Sequence, residues 1–257
     1  MVVLPISGLQ ARWRPSTGRD DIALADSVPG LQGCLEYVGR AAELEQGLEA
    51  ADLAVGDLDL LVVWRRREQR GDTVVAEGRC GRCLAPVDVR FSLAAYAAHH
   101  RPRPTRRAEP VGRGWYALRS TGARFRLPRV ADVIAVSGAA DPRRELLRRC
   151  LSEPVPASAR GIEAAMASLG PTLSATVAGD CPECAAGVEL AVNARELCLV
   201  ELRQAAIGVY DDVNLIASAY GWSQDDILDL PSARRARYAH TIAGRVADRL
   251  GRELAHA

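Results

Sequence analysis

Lysine is missing altogether: all 33 Lys-plus-Arg positions are arginine, set against 32 Asp and Glu for a formal net charge of +1. That balance lacks the excess of one sign that wholesale binding to nucleic acid or an anionic membrane requires. With the richness in alanine, the absence of lysine reads as codon bias of a high-GC bacterial or phage genome rather than as a binding signal. No apolar run approaches the roughly eighteen residues of a membrane span. Met1-Val2-Val3-Leu4-Pro5 has no basic start, sustained apolar stretch and small-residue cleavage site, so no membrane insertion and a cytoplasmic location are expected. A glycine-rich phosphate loop and a Gly-x-Ser-x-Gly elbow are both lacking. The four histidines, His99, His100, His240 and His256, fall in expected loops or exposed helical positions and leave no base beside a nucleophile. The expectation is therefore a protein that is not an enzyme and has no small-molecule substrate.

What the chain does have is two matched cysteine pairs, Cys80-Gly81-Arg82-Cys83 and Cys181-Pro182-Glu183-Cys184. After the first pair, Val87, Val89, Phe91 and Leu93 alternate with polar residues; after the second, Val188, Leu190 and Val192 do the same from the same offset. The β-prone runs Thr73–Ala76 and Leu173–Val177 precede the pairs, so each unit reads strand, knuckle, strand. Two such hairpins clasping one ion make a split zinc ribbon with ligands Cys80, Cys83, Cys181 and Cys184. The competing reading is a redox dithiol or disulfide, but a thioredoxin-type pair opens a helix, whereas Gly78-Arg79 and Gly179-Asp180 suggest a turn before each pair. Closing a loop of roughly a hundred residues costs about 4–5 kcal/mol, against roughly 10–16 kcal/mol of apparent binding free energy for a structural zinc. Four protein sulfurs leave no open position, so one structural, non-catalytic zinc per chain is expected. Cys34, Cys150 and Cys198 lie in or beside helical apolar patterns and read as buried small hydrophobes in a reducing compartment.

The fold class expected is α+β: two β-hairpin knuckles, helical segments and a C-terminal helical hairpin. Residues 1–30 read as an irregular arm, 31–96 as N-terminal helices and the first knuckle, 97–172 as an inserted hairpin with helices, and 173–257 as the second knuckle and C-terminal helices. Leu35–Leu48 is amphipathic, and Asp57 can cap a segment Leu58–Arg67 that periodicity leaves open between helix and buried strand. His99–Arg107 reads as a solvated Pro/Arg loop, with a nucleic-acid patch as the sharper alternative. A hairpin is expected around Gly122, then helices Val130–Val136, Arg143–Leu151 and Ala157–Leu169. Leu199, Leu202, Ala206, Val209, Val213, Ile216 and Tyr220 predict one long helix ended by Gly221. Ser223 with Asp226 reads as a capping box for a short helix through Asp229, Pro231-Ser232 starts the last helix, and Tyr238, Ile242, Val246, Leu250 and Leu254 share one of its faces.

This order of parts resembles the baseplate hub assembly chaperone family of T-even-like phages, with relatives in extracellular contractile injection systems. The resemblance spans about residues 30–250. It rests on the cysteine pairs framing Phe125-Arg126-Leu127-Pro128 and Asp132, then on Ile216–Ser223, Ile227–Leu230 and Arg234-Arg235-Ala236-Arg237-Tyr238. Where relatives often carry Thr/Ser-Arg-Asp after Leu-Pro, this chain has Arg129-Val130-Ala131-Asp132. The resemblance implies a baseplate component or assembly factor, with hub or spike subunits as partners and either a transient role or retention in the assembled particle. Arg234, Arg235 and Arg237, at a helix start where the dipole disfavours cations, are expected to meet an acidic partner surface. Trp222 is expected either to plug the junction between helices or to anchor a partner. The alternative function is a zinc-ribbon nucleic-acid adaptor of the transcription type; the mixed charge of Asp88, Arg90 and Glu189 on the outward ribbon positions speaks against specific nucleic-acid binding.

Overall fold

The computed structural model describes residues 1–45, 47–112 and 114–255, the side chains of 249–255 excepted. His256 and the side chains of Leu250 and Leu254 therefore lie outside the described residues. The first hairpin pairs β4 (Thr73–Arg79) with β5 (Pro86–Ser92), and the second pairs β9 (Ser174–Asp180) with β10 (Gly187–Asn193). Each runs into a helix: α4 (Leu93–His99), where Ser92 Oγ accepts from the Ala95 amide, and α8 (Ala194–Ile207), where the Asn193 side chain accepts from the Glu196 amide. Mixed helices and small antiparallel sheets make the class α+β.

The first thirty residues are not an irregular arm. β1 (Val2–Val3) and β2 (Gln10–Trp13) form an antiparallel sheet with β3 (Ala42–Leu44), and α1 (Gly18–Ala25) follows. Leu4, Ala11 and Leu24 enter the main core, and Trp13 Nε1 donates to the Leu61 carbonyl at 3.2 Å. β3 also shortens the expected helix Leu35–Leu48 to α2 (Gly30–Ala41). The open segment is helical, α3 (Val55–Arg70), and Ala54 rather than Asp57 occupies its cap. Asp57 sits inside the first turn, fully buried, accepting the Ile6 and Ser7 amides at 3.0 and 2.9 Å.

Between the hairpins, β6 (Ala108–Gly112), β7 (Trp115–Leu118) and β8 (Arg124–Arg126) form one sheet against α6 (Pro142–Cys150) and α7 (Arg160–Leu169), with a separate core of Leu118, Phe125, Leu147, Cys150, Ile162 and Ala165. α5 (Val130–Val136) faces the other way, and Val130 joins the main core. The expected long C-terminal helix is two: α8 ends in a tight turn at Gly208, and α9 (Val209–Tyr220) follows directly. α8 packs on α1 and α3, whereas α9 packs on α11 (Ser232–Ala255) across the short α10 (Gln224–Leu228). Ile216, Ile227, Ala239 and Ile242 are the buried contacts of that last cluster, while Val246, placed on the same face by periodicity, is exposed. The stripe survived the break because one turn residue hardly disturbs a three-and-four spacing.

One buried charge ties these layers together. Asp59 on α3, 1 % exposed, accepts Arg195 Nη1 at 2.7 Å and the Leu173 amide at 2.9 Å, so it pins the open end of the second hairpin, where β9 begins and β10 runs into α8, to the main core. Burial raises the Asp59 pKa even with Arg195 opposite. Removing one member of such a pair leaves the other buried and uncompensated. Asp59→Ala should lower the unfolding free energy by about 3–5 kcal/mol in urea titrations; a loss below about 1 kcal/mol would show that Arg195 and Leu173 find equivalent partners.

Candidate metal centre

The two knuckles have the same local design. Leu84 donates its amide to the Cys80 carbonyl at 3.0 Å and Ala185 to the Cys181 carbonyl at 2.9 Å; the Cys80 and Cys181 amides return to Ala85 and Ala186, both at 2.9 Å. Leu84 and Ala185 turn through left-handed backbone, φ +62° and +52°, conformations that side chains rarely adopt. The same strain at the same place in both halves curls each loop so that its two sulfurs point to one side.

The hairpins meet reciprocally. A Cβ on Gly78 of β4 would lie 2.4 Å from Leu190 Cδ2 of β10, and one on Gly179 of β9 would lie 3.0 Å from Val89 Cγ2 of β5. Gly78 and Gly179 hold equal positions in the two units, as do Val89 and Leu190, so each unit offers the other the same gap and the same knob. The sequence reading of these glycines as turn residues is corrected: both lie within paired strands, opposite Val87 and Val188, and their missing side chains admit the facing hairpin. Val87 and Val188 fill the apolar layer under the sulfurs.

This docking brings all four cysteines together. Cys80 and Cys181 are buried, Cys184 is half-buried and Cys83 is exposed. Cys80 Sγ lies 3.7 Å from Cys184 Sγ and Cys83 Sγ 3.5 Å from Cys181 Sγ, and the four atoms all lie within 4.8 Å of one another. These separations far exceed a disulfide bond of about 2.05 Å. A tetrahedral ion with metal–sulfur bonds of about 2.3 Å has edges of about 3.8 Å, so the donor set fits one such ion. Cys80 is the best prepared: the Cys83 and Arg82 amides, the latter 3.4 Å from its sulfur, bring its pKa down to about 6. Cys83 is pushed up to about 12: the Ala85 amide favours its thiolate, but the Cys181 thiol and desolvation outweigh that. Four thiolates this close repel unless a cation lies among them. Among the described residues the cluster comprises four cysteines and no histidine or carboxylate, a donor set that suits holding structure rather than activating water.

The other three cysteines are fully buried and chemically quiet; burial pushes Cys34 and Cys198 up to about 12 and Cys150 to about 11.

The proposed partner residues separate. Arg235 is not available: 5 % exposed, it donates to Asp21 of α1 at 2.7 Å and Asp212 of α9 at 2.9 Å. It clasps the N-terminal helix to the C-terminal cluster, which the sequence reading missed because Asp21 was assigned to a loose arm. Arg234 and Arg237 are exposed. Trp222 lies against Tyr220 and Tyr238 at 5.4 and 5.3 Å between centroids and stays 37 % exposed. In the stretch where this chain departs from the resembled pattern, Asp132 accepts Arg126 Nη2 at 2.9 Å and the Arg129 amide at 3.0 Å, a structural contact. The paired histidines pack on one another, and His100 Nδ1 approaches the Tyr96 carbonyl at 2.8 Å.

Compared with known protein families, curated proteins and solved structures, the chain matches none. Among the described residues, no helix is long and apolar enough to cross a membrane.

Purified chain should carry one metal ion, lost in Cys181→Ser, and hydrogen exchange should then quicken around Cys80 as well as locally. Unchanged exchange at the first knuckle would mean independent sites. For the hairpin contact, Gly78→Ala should cost about 1–3 kcal/mol, and Gly78→Ala with Leu190→Ala should cost less than the two singles together by at least about 0.5 kcal/mol. Simple additivity would refute the close approach.

Proposed function

We propose that this chain is a non-enzymatic, zinc-stabilised baseplate component or baseplate assembly factor of a phage-tail-like contractile injection system, contacting hub- or spike-proximal subunits. Zinc is the ion of choice because four thiolates in a tetrahedron suit a borderline-soft d¹⁰ cation, and a closed four-sulfur set is characteristic of its structural sites. The reading of the partner rests on the resemblance in residues 216–238, and the observation that carries it is the exposed corner at Tyr220-Gly221-Trp222. Gly221 takes left-handed backbone, φ +69°, and turns Trp222 back over Tyr220 and Tyr238 beside exposed Arg234 and Arg237. Trp, Tyr and Arg are the side chains that most often anchor protein interfaces.

The adaptor reading has less support. Asp88, Arg90 and Glu189 are all exposed on the hairpins, so the ribbon face is of mixed sign. Binding of DNA or RNA should be weak and non-selective near 150 mM salt, roughly physiological. Tight, sequence-selective binding in fluorescence anisotropy at that salt would replace this proposal with the adaptor.

Deleting the gene in its native host tests the principal reading. Electron microscopy should show incomplete particles or none, restored by the wild-type gene; normal, contractile particles from the deletion strain would sink it.

A further inference from the structure

Beside the aromatic corner, Tyr220, Ala233, Arg234, Arg237, Tyr238, Thr241 and Arg245 line a groove of about 610 Å³. Arg234, Arg237, Thr241 and Arg245 step by three and four along one side of α11. Among the described residues no carboxylate pairs with Arg234, Arg237 or Arg245, whereas their neighbour Arg235 has two. The first turn of α11 contains no acidic residue, so the charge there goes uncompensated within the chain. The floor is apolar and fixed: Tyr220 lies against Trp222, and Tyr238 meets both edge-on, at 6.0 and 5.3 Å. An aromatic cluster held by its own contacts offers contact area at little cost in side-chain entropy.

We infer that this groove receives an acidic segment of a partner protein, which seats one apolar side chain against Tyr220 and Tyr238 and places carboxylates on Arg234, Arg237 and Arg245. From Arg234 to Arg245 the helix rises about 16 Å, a span that about five residues of extended chain cover. Guanidinium forks pair with carboxylates in bidentate fashion. A nucleic acid fits less well: three cations in a chain of net charge +1 are few for a polyanion. The inference concerns the groove and holds whether or not the partner belongs to a baseplate.

A random peptide-display library panned against the full-length, metal-loaded chain provides the test. Enriched peptides should carry two or more carboxylates around an aromatic or aliphatic residue. A synthetic peptide of that kind should bind more weakly as salt rises and lose about ten-fold or more in affinity for Arg234→Glu with Arg237→Glu. Circular dichroism and metal content should be unchanged in that variant, because both side chains are exposed. Arg245→Gln, further along the helix, should weaken the same peptide by a smaller factor. Failure of acidic sequences to enrich, or undiminished binding to the double variant, would overturn the inference. So would an oligothymidylate that binds more tightly than the peptide and is lost in the same variant, since the groove would then be a nucleic-acid site.

Discussion

Two hairpins distant in sequence approach so closely that a Cβ at either crossing glycine would press on a side chain of the other hairpin. Gly78 lies under Leu190 and Gly179 against Val89, and everything at the sulfur cluster follows from that reciprocity. It is the geometry of a two-fold homodimer interface, in which one patch meets its own copy, realised within a single chain. Gly78 and Gly179, both half-buried, cost backbone entropy and contribute no packing of their own, so they weaken their strands unless the approach they permit brings something in return. Here it brings four sulfurs within 4.8 Å. Ligand convergence and strand packing are thus one constraint seen from two sides, and a change to either should be felt in the other.

A clasp of that kind holds only the strands it joins, and the chain extends its reach through buried charges. Asp59 fixes the start of the second hairpin and the first turn of its following helix, and Arg66 reaches Glu201 on the same helix at 2.6 Å. Further out, Arg235 joins Asp21 and Asp212, and Arg19 joins Asp225 and Asp229. The N-terminal helix therefore connects the main core to the C-terminal cluster. The first pairs are buried and matter energetically; the exposed Arg19 contacts are screened by water and contribute little.

The knuckles were legible because thiol spacing and strand alternation are local signals: Cys80, Cys83, Cys181 and Cys184 converge as their context suggests, and Cys34, Cys150 and Cys198 are buried. Signals that depend on distant partners were not. β1 and β2 have two and four residues and no pattern of their own, and they become strands by pairing with each other and with Ala42–Leu44. Asp57 has the composition of a cap yet serves amides fifty residues upstream. Gly208 breaks a helix without breaking its apolar spacing. Arg235 sits among look-alike arginines, and only the folded position of Asp21 distinguishes it. Gly78 and Gly179 did carry a readable signal, their matched offset before each cysteine pair, but a turn and a close crossing both call for glycine.

The sulfur cluster and the aromatic corner sit on different elements, and that separation has a functional consequence. A closed four-thiolate site offers no ligand position to a partner or substrate, so it acts on the rest of the molecule only by holding it. What it holds is the loop end of each hairpin, between β4 and β5 and between β9 and β10, whereas α8 begins at the opposite, open end after Asn193. The corner needs little from the metal for its own fold, because Ile216, Ile227, Ala239 and Ile242 form a cluster of their own. Its placement comes instead from α1, through Arg235 on Asp21 and Arg19 on Asp225 and Asp229. A corner kept in shape by its own cluster and in place by a helix outside the clasp is insulated from the sulfur site. In this chain, loss of a bound metal should therefore loosen the two hairpins at their loops and leave the Tyr220–Trp222 turn largely unchanged.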